Sequence, residues 1–310
     1  GRGDPASRGV VTTASYEARE FGVRSAMPLA EAHRRCPHAV FLPADFTEYV
    51  RVSALFKAAI ATVCEAIEDR GIDEVYLDTT AVALDDYELA SALKQAVRDA
   101  TGLSCSIGIA GNKLLAKIAS ELQKPDGLTI IGPHDVPGRI WPLEARRIPG
   151  VGRVADARLA KLGITTIGEL AAAPIERLRA VFGPTQAIYF HTAAHGADER
   201  PVITHREPKS MSRETTFGRD IGDWQTISTT LAKLAHRVAR DLAEDGYIGR
   251  KVAIKLRYAN FETHTRETTL DAPTAAAQAI GMAAFGCLAK LPQTRKIRLL
   301  GVRVGDLRRG

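Results

Sequence analysis

The sequence predicts an α+β fold spread over several domains, with a basic C-terminal domain suited to a polyanion. Three observations lead there. At 310 residues the chain is longer than an ordinary single domain. Helix-type apolar spacing alternates with short runs of strand formers over residues 46–133 and again after about residue 210, whereas residues 134–196 read as helix throughout. The charge is uneven as well. Residues 201–310 carry nineteen Lys and Arg against eleven Asp and Glu, and residues 1–200 carry twenty-three against twenty-five.

Each element has a local reason. "RGVVTTAS" reads as a strand, and "MPLAEAHRRC" as a short helix opened by Pro28. In "FTEYVRVSALFKAAIATVCEAIED", Val52, Leu55, Phe56, Ala59, Ile60, Val63 and Ile67 recur at three- and four-residue steps, which predicts one long amphipathic helix. The spacing then predicts a helix over 86–100, a strand at "LSCSIGIA" and a helix at "NKLLAKIASELQ" stopped by Pro125. "PDGLTIIGPHDV" reads as a Pro/Gly-rich exit, and "ADERPVITHREPKSM" as a linker. Beyond it the pattern predicts a strand at "MSRETTFGRD", a helix over 224–244 and a strand through "RKVAIKLRYANFETHTRETTL". A helix over 273–290 and a strand at "RKIRLLGVRVGDL" complete this second α+β domain.

Composition excludes several classes. Cys36, Cys64, Cys105 and Cys287 lie far apart with no CxxC pair, which argues against a zinc ribbon or disulfide scaffold and fits a reducing, cytoplasmic setting. No apolar run approaches the roughly 18–20 residues of a membrane span, so no membrane partner is expected.

The sharpest motif is "GIDEVYLD". Asp73 and Glu74 are adjacent like charges beside strand formers, where acidic residues are disfavoured. At a hairpin tip both carboxylates can point at one locus, and hard oxygen donors there suit Mg²⁺ with substrate phosphates. An exposed acidic turn carries the same dipeptide. In "TTASYEAREFG", Tyr16 and Arg19 share a helical face, and with Thr13 they make a phenol–guanidinium–hydroxyl set suited to a triphosphate. In "GNKLLAKIASELQKPDG", Lys113 and Lys117 stand at i,i+4 with Lys124 beyond, which is either a phosphate-facing or a solvated cationic face. "IPGVGRVADARLAKLGI" has the apolar–Gly–x–Gly–helix pattern of a helix–hairpin–helix. Gly150 and Gly152 would let backbone amides approach a DNA phosphate without reading a base. In the last domain Lys209, Ser210, Arg213, Lys255 and Arg298 fall at or near strands. Lys251, Lys255 and Arg257 share parity, so they can line one sheet face.

The order of these blocks is more specific than any one of them. "TTASYEAREFGVRSAMPLAEA", "GIDEVYLD", "CSIGIAGNKLLAKIASELQKPDG", "IPGVG", "KSMSRETTF" and "IRLLGVRV" resemble, in this order, the Y-family translesion DNA polymerases, in their DNA polymerase IV-like branch. The resemblance spans essentially the whole chain. It implies a right-hand polymerase with fingers at 1–45, palm at 46–133, helical thumb at 134–200, linker at 201–209 and little finger at 210–310. It also implies low-fidelity, template-directed synthesis with two Mg²⁺ ions, dNTPs and primer–template DNA. Asp73 and Glu74 then match metal-binding carboxylates. Thr13, Tyr16, Arg19 and Lys124 match the triphosphate grip, and Lys117, Gly150, Gly152, Lys209, Ser210, Arg213, Lys255 and Arg298 match DNA contacts. A monomer is expected.

Two departures qualify the resemblance. The family opens with a palm strand bearing another metal-binding aspartate and an aromatic that excludes ribonucleotides. Neither motif is present, Asp4 is no substitute, and Gly1 stands where Met would open a complete protein. Either a fragment or a non-catalytic DNA-binding relative is therefore the alternative. Second, Gly71 replaces the family's usual serine. The family's sliding-clamp peptide is also not found before the closing "DLRRG". A helix–hairpin–helix repair enzyme using Asp156 or Lys161 is a further alternative, but it leaves "SYEAR" and "GIDEVYLD" unexplained.

Overall fold

A computed structural model describes residues 3–292 and 295–310. The chain divides into two compact units, one of Asp45–His205 and one that joins Gly1–Ala44 with Arg206–Gly310.

The Asp45–His205 unit begins with helix α3 (Phe46–Ala61), following α1 (Tyr16–Glu20) and α2 (Leu29–Arg35) of the other unit. Asp45 caps α3 by accepting from Glu48 N. The helix is shorter than its apolar spacing predicts. Val63 and Ile67 continue the rhythm, but Ile67–Asp69 form strand β1, paired antiparallel with β2 (Val75–Leu77). Ile67 joins the same apolar cluster as Ile60 from a strand, so burial rather than helix produced the period. Helix α4 (Asp86–Thr101) opens on a full capping box of Asp85 and Glu88 and ends at Gly102, φ 72°.

Strand β3 (Ile107–Ala110), helix α5 (Lys113–Leu122) and β4 (Leu128–Ile131) form a parallel βαβ unit. Here β4 corrects the expectation of a structureless exit. Four residues flanked by Pro125, Gly127 and Gly132 are enough to pair with β3, and Ile131 is buried. The strand is packed tightly under α5. A Cβ on Gly108 would stand 2.1 Å from Ala116 O and 2.4 Å from Ser120 N. Residues 133–147 run through short 3₁₀ and π turns into α6 (Arg153–Lys161), α7 (Ile167–Ala172) and α8 (Ile175–Ala194), the helical stretch that the sequence predicts. Gly183, φ 75°, kinks α8 just before Pro184. The apolar face of α5 (Leu114, Leu115, Ile118) shares one core with Ile148, Val151, Leu159 and Phe190.

In the other unit, "RGVVTTAS" forms no strand. Val10 makes one isolated bridge to Pro28, which has no N–H to extend a ladder. Its C-terminal part is a four-stranded antiparallel sheet in the order β5-β8-β6-β7: β5 (Ser210–Ile221), β6 (Tyr247–Tyr258), β7 (Thr263–Thr274) and β8 (Ile297–Arg309). Helices α9 (Trp224–Glu244) and α10 (Ala277–Ala289) cover one face, with Leu231, Leu242, Ile254, Leu256, Leu300 and Val302 buried between. The single long strand expected over 250–270 is a hairpin. No Gly or Pro marks its turn: Phe261 takes the left-handed position at φ 67°, and Asn260 Oδ1 accepts from Glu262 N at 3.1 Å. Within this unit Arg8 donates to Phe217 O and pairs with Asp220 at 2.5 Å.

Gly108→Ala is expected to destabilise the Asp45–His205 unit by roughly 1–3 kcal/mol, because the clash is with helix backbone rather than a movable side chain. Urea unfolding of that unit checks it; an unchanged midpoint would contradict the close β3–α5 packing.

Candidate active site and nucleic-acid interface

The turn between β1 and β2 places Asp73 and Glu74. Asp69 pairs with Val75, and Arg70 N donates to Glu74 O at 3.1 Å, so residues 70–74 close the hairpin as the sequence predicts. Lys57 of α3 staples this turn. Its Nζ donates to Asp69 Oδ2 and to Gly71 O, both at 2.7 Å, and Asp69 Oδ1 accepts from Gly71 N. The hydrogen bond from Lys57 keeps the Asp69 carboxyl below its ordinary range.

Both Asp73 and Glu74 are exposed. Glu74 pairs with Lys117 of α5, which also reaches Glu121 at 3.1 Å, and Glu121 accepts from Lys124 at 2.6 Å. Carboxylates and ammoniums therefore alternate, Glu74–Lys117–Glu121–Lys124, along one side of α5. Burial pushes the Lys117 ammonium down, but its hydrogen bonds to Glu74 and Glu121 outweigh this and hold it above the usual lysine range. For Glu121, burial pushes up and the two lysines prevail, leaving the carboxyl lowered. Asp73 has no ion pair with any described residue. Two exposed carboxylates on one turn, with no third His, Cys, Asp or Glu clustered beside them among the described residues, are a partial oxygen donor set. That suits Mg²⁺, which keeps waters and substrate phosphates in its shell.

The remaining sequence-predicted residues fall into three places. In the other unit, Thr13 and Tyr16 are exposed, and the Arg19 guanidinium lies 4.9 Å from the Tyr16 ring centroid. Arg19 Nε donates to Ala14 O at 3.0 Å, which fixes the fork and leaves both Nη groups with no hydrogen bond to a described residue. Ser15 caps α1 below them by accepting from Ala18 N.

The glycine hairpin sits across a cleft of about 350 Å³ from α5, lined by Lys117, Glu121, Arg146, Arg147, Gly150 and Gly152. Gly150 takes φ 96°, and a Cβ there would meet the Tyr189 ring at 3.3 Å. The Tyr189 hydroxyl donates to Pro149 O at 2.6 Å, and Val151 is buried, so the loop is held from behind. Gly152 caps the N-terminus of α6. Arg146 and Arg147 escaped attention in the sequence, although two arginines directly before "IPGVG" are the signal that finds them.

On the C-terminal sheet, the register confirms that Lys251, Lys255 and Arg257 share the face away from the helices, opposite Gly305, Gly301 and Leu299 of β8. Two cations on this face have acidic neighbours: Lys255 pairs with Glu214 at 2.9 Å and Arg303 with Glu267 at 2.7 Å. Lys209 and Ser210 are exposed where β5 begins. Arg213 is placed otherwise. It lies opposite buried Val302 and pairs with Asp241 of α9 at 2.5 Å, on the helix-covered side. Arg298 sits at the bulge of β8, its guanidinium 4.4 Å over Phe261 and 3.8 Å from Asp220. Lys113, counted in the sequence as part of a cationic face, points inward. It is buried and bonded to Glu68 at 2.7 Å.

Comparison with known proteins agrees with this layout. The impB/mucB/samB family matches residues 2–121, its C-terminal domain matches 208–310, and a DNA polymerase-iota thumb domain matches 146–198. DNA polymerase IV of Methanoculleus marisnigri is 42% identical over 307 residues, covering 98% of this chain and 85% of that protein. DNA polymerase IV of Halorhodospira halophila is 41% identical over 309 residues, covering 98% and 86%. A solved Y-family DNA polymerase chimera, Dbh-Dpo4(243-245)-Dbh, superposes with a TM-score of 0.85 at 25% identity, covering 98% of this chain and 89% of the other. By sequence over nearly its full length and by fold, this chain belongs to the Y-family DNA polymerases, in the DNA polymerase IV branch.

Proposed function

We propose that the Asp73–Glu74 turn is the metal-binding half of the active centre, the Thr13–Tyr16–Arg19 cluster the triphosphate grip, and the glycine hairpin with the open sheet face the DNA grip. The activity they serve is that of a translesion DNA polymerase, template-directed nucleotidyl transfer of low fidelity. The observation that carries the residue assignment is the hairpin, where two exposed carboxylates stand together on a stapled turn beside a lysine row.

Bound Mg²⁺ supplies charge neutralisation at the reacting phosphate and a more acidic primer hydroxyl. Asp73 and Glu74 would hold it, and Glu74 has to exchange Lys117 for it. A freed Lys117, with Arg146 and Arg147 across the cleft, then faces DNA phosphate. Lys124 and the Arg19 fork offer donors to a triphosphate, Arg19 in bidentate fashion. The backbone amides around Gly152 and the N-terminus of α6 receive a phosphate without reading sequence. Lys251, Lys255 and Arg257 track a backbone in the same sequence-independent way, which fits an enzyme that accepts irregular templates. A non-catalytic DNA-binding role would need none of the carboxylate geometry, so the enzymatic reading is favoured.

In a complete enzyme, Asp73→Ala is expected to lower the single-turnover rate of primer extension on the order of a hundredfold or more while DNA binding persists; undiminished extension would remove Asp73 from the metal site. For Arg19→Ala we expect the apparent KM for dNTP to rise about tenfold or more, the loss of a charged hydrogen bond, with DNA affinity held. An unchanged KM counts against the grip. Replacing Lys251, Lys255 and Arg257 together by alanine should flatten the slope of log affinity against log salt by roughly 2–3, and an unaltered slope would place the DNA-facing charge elsewhere.

A further inference from the structure

The segment between α8 and β5 looks like a free tether in the sequence, yet its first half is fastened. Asn112 Nδ2 donates to Gly196 O at 2.8 Å, and Asp198 Oδ2 accepts from Leu114 N at 3.1 Å at the open N-terminus of α5. Lys113 Nζ donates to Pro201 O at 2.6 Å, and Glu68 Oε2 accepts from Ile203 N at 3.0 Å. Glu68 and Lys113 are themselves a buried ion pair at 2.7 Å, 3% and 9% exposed. Arg70 adds a third charge at 3.3 Å from Glu68. The Ile203 side chain is 38% exposed, so apolar burial does not hold this residue; the hydrogen bond of its amide to a buried carboxylate does.

A buried ion pair is weak evidence of stability alone, since desolvation offsets much of its attraction. Here each partner also makes one hydrogen bond to linker backbone. Both linker groups are backbone atoms, which every residue type but proline supplies at position 203, so the anchor depends on Glu68 and Lys113 more than on linker side chains. The compact unit accordingly runs through His205.

Resting on the reading of this chain as a DNA-gripping polymerase, we infer that the Glu68–Lys113 pair is a linker anchor that sets how closely the C-terminal domain is tethered for DNA binding. Released from Glu68 and Lys113 but still held at Asp198, the tether to β5 runs from Glu199 to Lys209, eleven residues; fastened at Ile203 it runs from Thr204, six residues. Effective concentration falls roughly as the −3/2 power of tether length, so fastening raises it about 2.5-fold. Glu68 and Lys113 are positioning residues in this scheme and touch neither substrate nor metal.

Two variants of the full chain test it. Glu68→Leu with Lys113→Met replaces the pair by apolar side chains of similar size, an exchange that buried pairs commonly tolerate, and removes both linker bonds. Ile203→Pro removes only the amide donor and leaves the pair in place. Amide hydrogen exchange across residues 199–205 should quicken tenfold or more in both, with β3 and α5 amides unchanged. The Kd for primer–template should rise about 2.5-fold in the double variant and about 1.5-fold in Ile203→Pro, where Pro201 stays bonded to Lys113, with the saturating single-turnover rate of Ile203→Pro held. Equal exchange of 199–205 in parent and variants overturns the anchor, and quickened exchange with unaltered Kd overturns its role in binding. A parent that binds no primer–template would defeat the polymerase reading and the affinity half of this inference together, while exchange, measured without DNA, would still decide the anchor.

Discussion

Two lysines one turn apart on α5 organise the Asp45–His205 unit. Lys113 points inward to the buried Glu68 of β1, and Lys117 points outward to the exposed Glu74 beyond the turn. The same helix thus grips the acidic hairpin at its root and near its tip. This works because α5 is itself fixed, its apolar face in the core it shares with Ile148, Leu159 and Phe190 and its backbone against Gly108 of β3. The inner contact resists change, since removing one partner of a buried pair costs about 3–5 kcal/mol. The outer contact is more exchangeable, because Glu74 is exposed and Lys117 only half-buried. The proposed metal-binding turn would draw on this division between a fixed base and a labile tip.

The C-terminal sheet solves a similar problem over a larger area. One face is closed by α9 and α10 over Leu, Ile and Val, so alternation sends Lys251, Lys255 and Arg257 to the other. Gly301 and Gly305 keep the central strand of that face low, leaving the long cations of β6 to stand above it. Glu214 and Glu267 pair with Lys255 and Arg303, so those cations have local partners that DNA bound on the proposed face would replace. Binding by such replacement is sensitive to salt and indifferent to base sequence.

Much of this was legible in the sequence because it was local. The acidic turn, the Tyr16–Arg19 pair, the glycine hairpin and the one-faced cations of β6 follow from spacings of one to six residues. So do α4, α5 and α9, whose caps and apolar stripes lie within their own segments. The overlong α3, the missed β4 and the missed turn at Phe261 had local signals pointing elsewhere. Val63 and Ile67 kept helical time while Ile67 lay in a strand, Pro and Gly masked β4, and Phe261 occupied a turn position that sequence rules reserve for glycine.

What only the tertiary structure decided is which charges are spent on the protein itself. Lys113 and Lys117 are indistinguishable in sequence, each a lysine on an amphipathic helix. Their fates diverge because Glu68, forty-five residues away, and the backbone of Pro201 close around one of them. Arg213 is likewise turned to Asp241 by the side of β5 that α9 covers. Sequence determines the side-chain chemistry and the local period that sets its direction. Burial and long-range partners decide whether a cation remains available to a phosphate, because desolvation and pairing act through space and not along the chain.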